Sequence, residues 1–161
     1  MKKLLMITLL SLCATVAVHA DEAAAVGFWF NAPSGIGSTS VDGLGIGLPI
    51  LANHNLRGAS LALCGNDSAK TSGAQLVLFG YNRAQSLFGL QFGMINFLEK
   101  QHDDFALQLG LYNQSSENGV QLGFINNGRN NATLQLGLIN INKGGLLPVM
   151  IFINLGSGLF D

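Results

Sequence analysis

From residue 43 onward, apolar residues fall at alternate positions in short runs, and the runs recur along the chain. In Gly89-Leu90-Gln91-Phe92-Gly93-Met94-Ile95-Asn96, the side chains of Leu90, Phe92 and Met94 alternate with Gly89, Gln91 and Gly93. A period of two is the mark of a β-strand. Two glycines in eight residues, each costing about 1 kcal/mol in a helix interior, disfavour the helical reading. Between the runs lie segments such as 114–118 and 127–131, which are polar and have loop composition. The pattern predicts an all-β protein. One face of each strand is aliphatic or aromatic and is expected to point inward, at roughly 1.5–3 kcal/mol per fully buried side chain. The other, of Gln and Gly, is expected to form a flat polar outer surface.

The runs are copies of one unit. After Gly89–Asn96 come Ala106-Leu107-Gln108-Leu109-Gly110-Leu111-Tyr112-Asn113, then Gly119-Val120-Gln121-Leu122-Gly123-Phe124-Ile125-Asn126, then Thr133-Leu134-Gln135-Leu136-Gly137-Leu138-Ile139-Asn140. Gln, Gly and Asn keep fixed offsets in all four. Looser copies begin at Gly43, Gly58 and Gly73, so unit starts at 43, 58, 73, 89, 106, 119 and 133 are 15, 15, 16, 17, 13 and 14 residues apart. A partial unit follows at Gly145-Leu146-Leu147-Pro148, where Pro148 removes a backbone donor and predicts an edge or terminus. The domain plan is a leader over 1–20, an N-terminal segment over 21–42 with a possible strand over 26–30, and a repeat domain over 43–161.

Two architectures fit such units: a β-solenoid-like stack of about seven short strands, or an antiparallel β-meander or barrel. Parallel stacking would align Gln91, Gln108, Gln121 and Gln135 into one amide ladder. It would align Asn96, Asn113, Asn126 and Asn140 into a second, at a corner. An antiparallel sheet offers those asparagines no shared reason to recur. The linker residues Ala84, Leu87, Leu98 and Phe105 suit the inside of a coil. The polar linkers after Asn113 and Asn126 suit hairpin loops and favour the meander. In either case a unit cannot bury its apolar side alone, so neighbours must stabilise one another. A membrane barrel needs strands of about 9–11 residues and aromatic girdles. These strands are nearer seven residues, and the chain has one Trp and two Tyr.

The units resemble those of small exported bacterial surface-repeat proteins built from tandem GLQxGLIN motifs. The likeness covers residues 43–154 and is specific in the last four units. It implies export and a repeat fold, with no assigned catalytic residues. The Gln-x-Gly-x-x-Asn spacing is also similar to that of curlin, an amyloid fibre subunit. This chain departs from curlin in its shorter units, its apolar residues at nearly every intervening position and its lack of a second Gln per repeat. Those departures count against fibre formation.

Composition bears on destination more than on activity. Of 161 residues, 48% are apolar and 11% charged, mean hydropathy is +0.38 and the formal charge is −1. No basic excess is available to neutralise phosphates, so a nucleic-acid partner is not expected. Lys2 and Lys3 precede an apolar run over 4–18, and Val18-His19-Ala20 offers a small-residue cleavage site before Asp21. That is the plan of a secretory signal peptide rather than a membrane anchor. Leu12 stands before Cys13 where a lipoprotein signal needs a small residue. The mature chain would lose two of the 8 basic residues, keep all 9 acidic ones and carry −3. It contains no transmembrane-helix candidate.

Candidate chemistry is sparse. Cys64, the one cysteine of the mature chain, cannot form an internal disulfide and is expected as a buried small hydrophobe. His102-Asp103-Asp104 and His54 read as solvated linker residues rather than metal ligands. Gly43-Leu44-Gly45-Ile46-Gly47 lacks the following helix of a dinucleotide loop. Three Asn-x-Ser/Thr triplets, at Asn66, Asn113 and Asn131, are expected by chance in an Asn-rich chain. No catalytic, cofactor or metal residue is expected. The functional expectation is an exported, non-enzymatic β-repeat protein of the periplasm or cell surface, forming a structural or binding surface in the bacterial envelope. Its partner would be an envelope component, a glycan or another copy. The alternatives are a self-assembling curlin-like fibre subunit and a small outer-membrane β-barrel.

Overall fold

The computed structural model describes residues 24–29, 40–99, 105–117, 119–131 and 134–156. The expected leader over 1–20 and the cluster His102-Asp103-Asp104 lie outside the described residues. The described chain is a parallel β-solenoid of about six turns. Its strands are β1 (Ala24–Trp29), β2 (Ser40–Gly47), β3 (Ile50–Ala62), β4 (Gly65–Val77), β5 (Tyr81–Phe92), β6 (Ile95–Leu98), β7 (Ala106–Glu117), β8 (Val120–Asn131), β9 (Leu134–Asn142) and β10 (Val149–Leu155). They hydrogen-bond in chain order, with β5 also meeting β7. β1 falls where the 26–30 pattern suggested a strand, and it extends the sheet by pairing with β2 in parallel.

The long strands are not hairpin arms. β3, β4 and β5 each join the end of one coil to the start of the next, bent at a single residue that leaves the ladder, whereas β7 and β8 carry both arms of one coil through its turn at Leu111 and Phe124. Asn53 pairs with Ser68 and Asn55 with Lys70, so His54 and Ala69 form that bend. Gln85 bends the next coil in the same way. Each coil therefore has a first arm (such as 86–92), a turn (93–94) and a second arm (95–98), and the two arms face each other across a thin interior. Gln114 to Glu117 and Asn127 to Asn131, read from sequence as loops, are strand. Their backbone groups are satisfied by the coils above and below, which outweighs their loop-like composition. The repeats do not form the antiparallel meander or barrel. Among the described strands only β10 runs antiparallel, against β9, and Pro148 stands just before this last strand, as an edge residue should.

The interior reverses the expected facing. Gln75, Gln91, Gln108, Gln121 and Gln135 are buried, as are Asn66, Asn82, Asn96, Asn113, Asn126 and Asn140. The alternate aliphatic set points outward: Phe92, Met94, Leu111, Phe124, Leu136 and Leu138 are exposed. Between the arms the carboxamides bond to one another and to the facing backbone. Each Gln Nε2 donates to the Oε1 of the preceding unit's Gln, from Gln91 to Gln75 (2.9 Å), Gln108 to Gln91 (2.8 Å), Gln121 to Gln108 (2.8 Å) and Gln135 to Gln121 (2.7 Å). Each Asn Nδ2 donates the other way, to the Asn Oδ1 of the following unit, at 2.8–3.0 Å from Asn66 through to Asn140. The two ladders thus have opposed amide dipoles.

Both ladders also hold the backbone. Gln108 Nε2 bonds the Gln114 carbonyl on the facing arm, as Gln135 does that of Ile141. Asn113 Nδ2 bonds the Leu122 carbonyl just before the next coil's turn. The apolar interior forms two clusters, Leu51, Ala62 and Val77 near the start and Ala84, Leu87, Leu98 and Ala106 in the middle, with Val41, Ile50, Ala52, Leu56 and Ala69 also buried. Ala84, Leu87 and Leu98 were expected inside and are. Phe105 was also expected inside but is exposed, and the smaller Ala106 beside it fills the interior. The motif glycine has a steric cause: a Cβ on Gly123 would stand 2.6 Å from Asn113 Nδ2 and press on the Gly110 carbonyl.

Two outcomes test this arrangement by urea unfolding. Gln108→Ala removes the acceptor of Gln121 and the donor of Gln91, and should cost about 2–4 kcal/mol. Phe124→Ser, at an exposed outward position, should cost less than about 1 kcal/mol. If the two costs are reversed, the facing described here is wrong. Gly123→Ala should cost about 1–3 kcal/mol by crowding the Asn ladder, and an unchanged midpoint would contradict that packing.

Candidate functional site

Stacking the units turns each outward position into a column. On the first arm, Ile46, Leu61, Leu76, Phe92, Leu109, Leu122 and Leu136 lie in register. On the second arm, Tyr81, Ile95, Tyr112, Ile125 and Ile139 do the same, in line with the buried Ile50 and Gly65 of the earlier coils. Between them the turns present Leu63, Leu78, Met94, Leu111, Phe124 and Leu138, all exposed. Phe79 and Phe152, at 70% exposure, are the most open. The result is an apolar shell that wraps from one arm, around the turn edge, onto the other arm.

The motif glycines leave shallow grooves in this shell. One, of about 330 Å³, is bounded by Leu78, Phe92, Met94, Leu109 and Leu111. A second, of about 350 Å³, lies among Leu111, Phe124, Leu138 and Phe152. The backbone under the turn edge is satisfied from coil to coil. Leu78 N–H donates to the Ala62 carbonyl, Ile95 N–H to that of Gly80, Gly93 N–H to that of Leu109 and Leu111 N–H to that of Met94.

Among the described residues, charge lies toward the linker edge and on the parts of the arms that approach it. None of the segments 43–51, 58–66, 73–82, 89–96, 106–113, 119–126 and 133–140 contains a charged residue. Arg57 lies 3.9 Å from Asp42 there, and Arg83 holds Glu99 through Nε (2.7 Å) and its second guanidinium nitrogen. Asp67, beside Arg83 in the same column, is buried, and its Oδ1 has no partner. Burial pushes the Asp67 carboxyl above the usual carboxylate range, Arg83 pulls it back in part, and Glu99 adds to the rise. Burial and the Asp67 charge together raise the Tyr81 phenol, against the opposing pull of Arg83.

The residues singled out by sequence do not come together. His54 is exposed at its bend. Cys64 is half-buried beside a turn rather than a core residue, and it is a free thiol. Among the described residues no three His, Cys, Asp or Glu side chains converge on a point where a metal could sit. The turn-edge shell was missed as a surface because its leucines read as core. One signal was present: a solvated polar face normally carries Lys or Glu, and the Gln/Gly/Asn face has neither.

Asp67→Asn tests the electrostatics of the linker edge. The folded chain binds the Asp67 proton more tightly than the unfolded chain does, so ionising Asp67 weakens the fold. The substitution should therefore raise stability at pH 7. Its advantage should fade as pH falls through the raised folded pKa and vanish below the ordinary value of 3.8. Paired urea titrations across pH check this, and an advantage constant with pH would contradict it.

No protein-family model, no curated protein and no solved structure matches the chain, and its functional reading is carried by the geometry and chemistry above.

Proposed function

We propose that this protein is exported and non-enzymatic, and that its stacked coil is a structural or binding surface in the bacterial envelope. The observation that carries the reading is the segregated exterior: apolar columns over the turn edge, with charge toward the linker edge. Contiguous exposed apolar surface beyond a few hundred Å² marks an interaction site in a folded protein. The leader-like start at residues 2–20 and the −3 formal charge of the remainder suit export without a nucleic-acid partner. The described grooves on the shell are lined almost wholly by aliphatic and aromatic side chains, and suit contact rather than acid–base chemistry.

The fibre alternative is weighed down by β10. A copy adding at that end would meet a strand running against the repeat direction, where continued coiling needs a parallel one. Fractionation of expressing cells tests the main reading. The chain should be recovered with the envelope, with an N-terminus near Asp21. Recovery at full length from the cytoplasm would overturn it.

A further inference from the structure

Resting on the proposed surface role, we infer that the occupant of the apolar shell is lipid: the turn edge lies in the boundary between acyl chains and headgroups, with the linker edge toward water. Three observations support this occupant over a second copy of the chain.

The first is shape. The apolar columns continue around a convex edge, from the Phe92 column over Met94 and Leu111 to the Ile95 column. A rigid copy laid flat on one arm would cover a strip of about six rungs by four residues, about 30 Å by about 13 Å. That is about 400 Å² per partner, half of the roughly 800 Å² of a stable interface. A fluid acyl layer conforms to all three sides.

The second is hydrogen bonding. Hydrocarbon tolerates backbone only where its N–H and C=O groups are satisfied within the protein. The coil meets that condition at the edge concerned, through the turn-to-turn bonds of Leu78, Phe79, Gly93, Ile95 and Leu111. The third is the partition of charge. The turn residues Leu78, Met94, Leu111, Phe124 and Leu138 are flanked by uncharged segments, and Arg57, Lys70, Arg83 and Glu99 lie farther along the arms toward the linker edge, with Arg83 next to Tyr81. This is the two-faced plan of an interfacial amphipathic helix, realised in β-structure. It differs from most such helices in lacking a basic belt. Attachment should therefore be driven by apolar area and resist salt.

The test is flotation of the full chain with vesicles of zwitterionic phosphatidylcholine. The protein is taken from the envelope of expressing cells, or from the cytoplasm if retained there. Flotation should persist between about 0.05 and about 1 M salt. A Leu78→Asp, Leu111→Asp, Phe124→Asp variant with an unchanged β-sheet circular dichroism spectrum should lose flotation at least about tenfold. Because wild type and variant share the same N-terminus, the comparison separates the coil from the leader. A Met94→Trp variant supplies a second readout that leaves the shell apolar: its added fluorescence should shift to the blue with vesicles and be quenched by brominated phosphatidylcholine. The inference is overturned if the wild type stays at the bottom of the gradient, if the triple variant floats equally well, or if the Met94→Trp signal ignores brominated lipid. It is also overturned if the chain sediments as a dimer that does not float, which makes a second copy the occupant. A chain found in the envelope that does not float removes the lipid assignment and leaves the surface role standing.

Discussion

A carboxamide shut inside a protein needs a donor on one side and an acceptor on the other, and in this molecule the two come from the same residue type in the coils on either side. Most other features follow from that requirement. Only parallel strands place Gln above Gln and Asn above Asn at every step. Register cannot slip, because a shift of one residue would exchange the amides for leucines. The glycine between Gln and Asn is needed so that the Asn ladder can pass close to the turn. Differences in unit length do not disturb the ladders, since the seventeen residues from Gly89 to Ala106 and the thirteen from Ala106 to Gly119 differ only at the linker edge.

The same requirement shapes the exterior. Filling the thin interior with amides leaves little room for aliphatic side chains, and the buried apolar groups are few and small outside Leu51, Leu56, Leu87 and Leu98. The alternating set of each strand has one place to go. Leucine, phenylalanine and isoleucine therefore accumulate on the outside, where stacking sorts them into columns. Stability and surface chemistry are two results of one pattern. The polar residues hold the coil together, and the apolar ones are left to meet the surroundings.

The ends of the ladders mark where the strict motif stops, at Asn66 because Leu51 holds the matching position in the preceding coil. Asn66 Oδ1 and Gln135 Oε1 are the terminal acceptors, and both are buried without a partner. At the Gln135 end, β10 lies across the last coil in the opposite direction, with Asn154 set against Gln135. The proline-bearing approach and reversed strand stop the coil at a point where the ladder itself would accept another turn.

Much of this was legible along the chain. Alternation in each unit showed strands, and fixed Gln, Gly and Asn offsets showed copies of one coil. The common spacing of the asparagines favoured parallel stacking, and Ala84, Leu87 and Leu98 were recognisable as inward residues. The facing of the strands was not legible. A two-residue period divides side chains between two sides, but it does not say which side is enclosed. The usual preference for buried leucine pointed the wrong way, because stacked amides satisfy one another at a distance of a whole unit, and that gain exists only once neighbouring coils are in place. For the same reason 114–117 read as loop, Phe105 as core and Cys64 as fully buried. Local residue order settled what each coil is made of and how often it recurs. Contact between coils alone settled which face is interior, and with it which residues form the surface the protein offers.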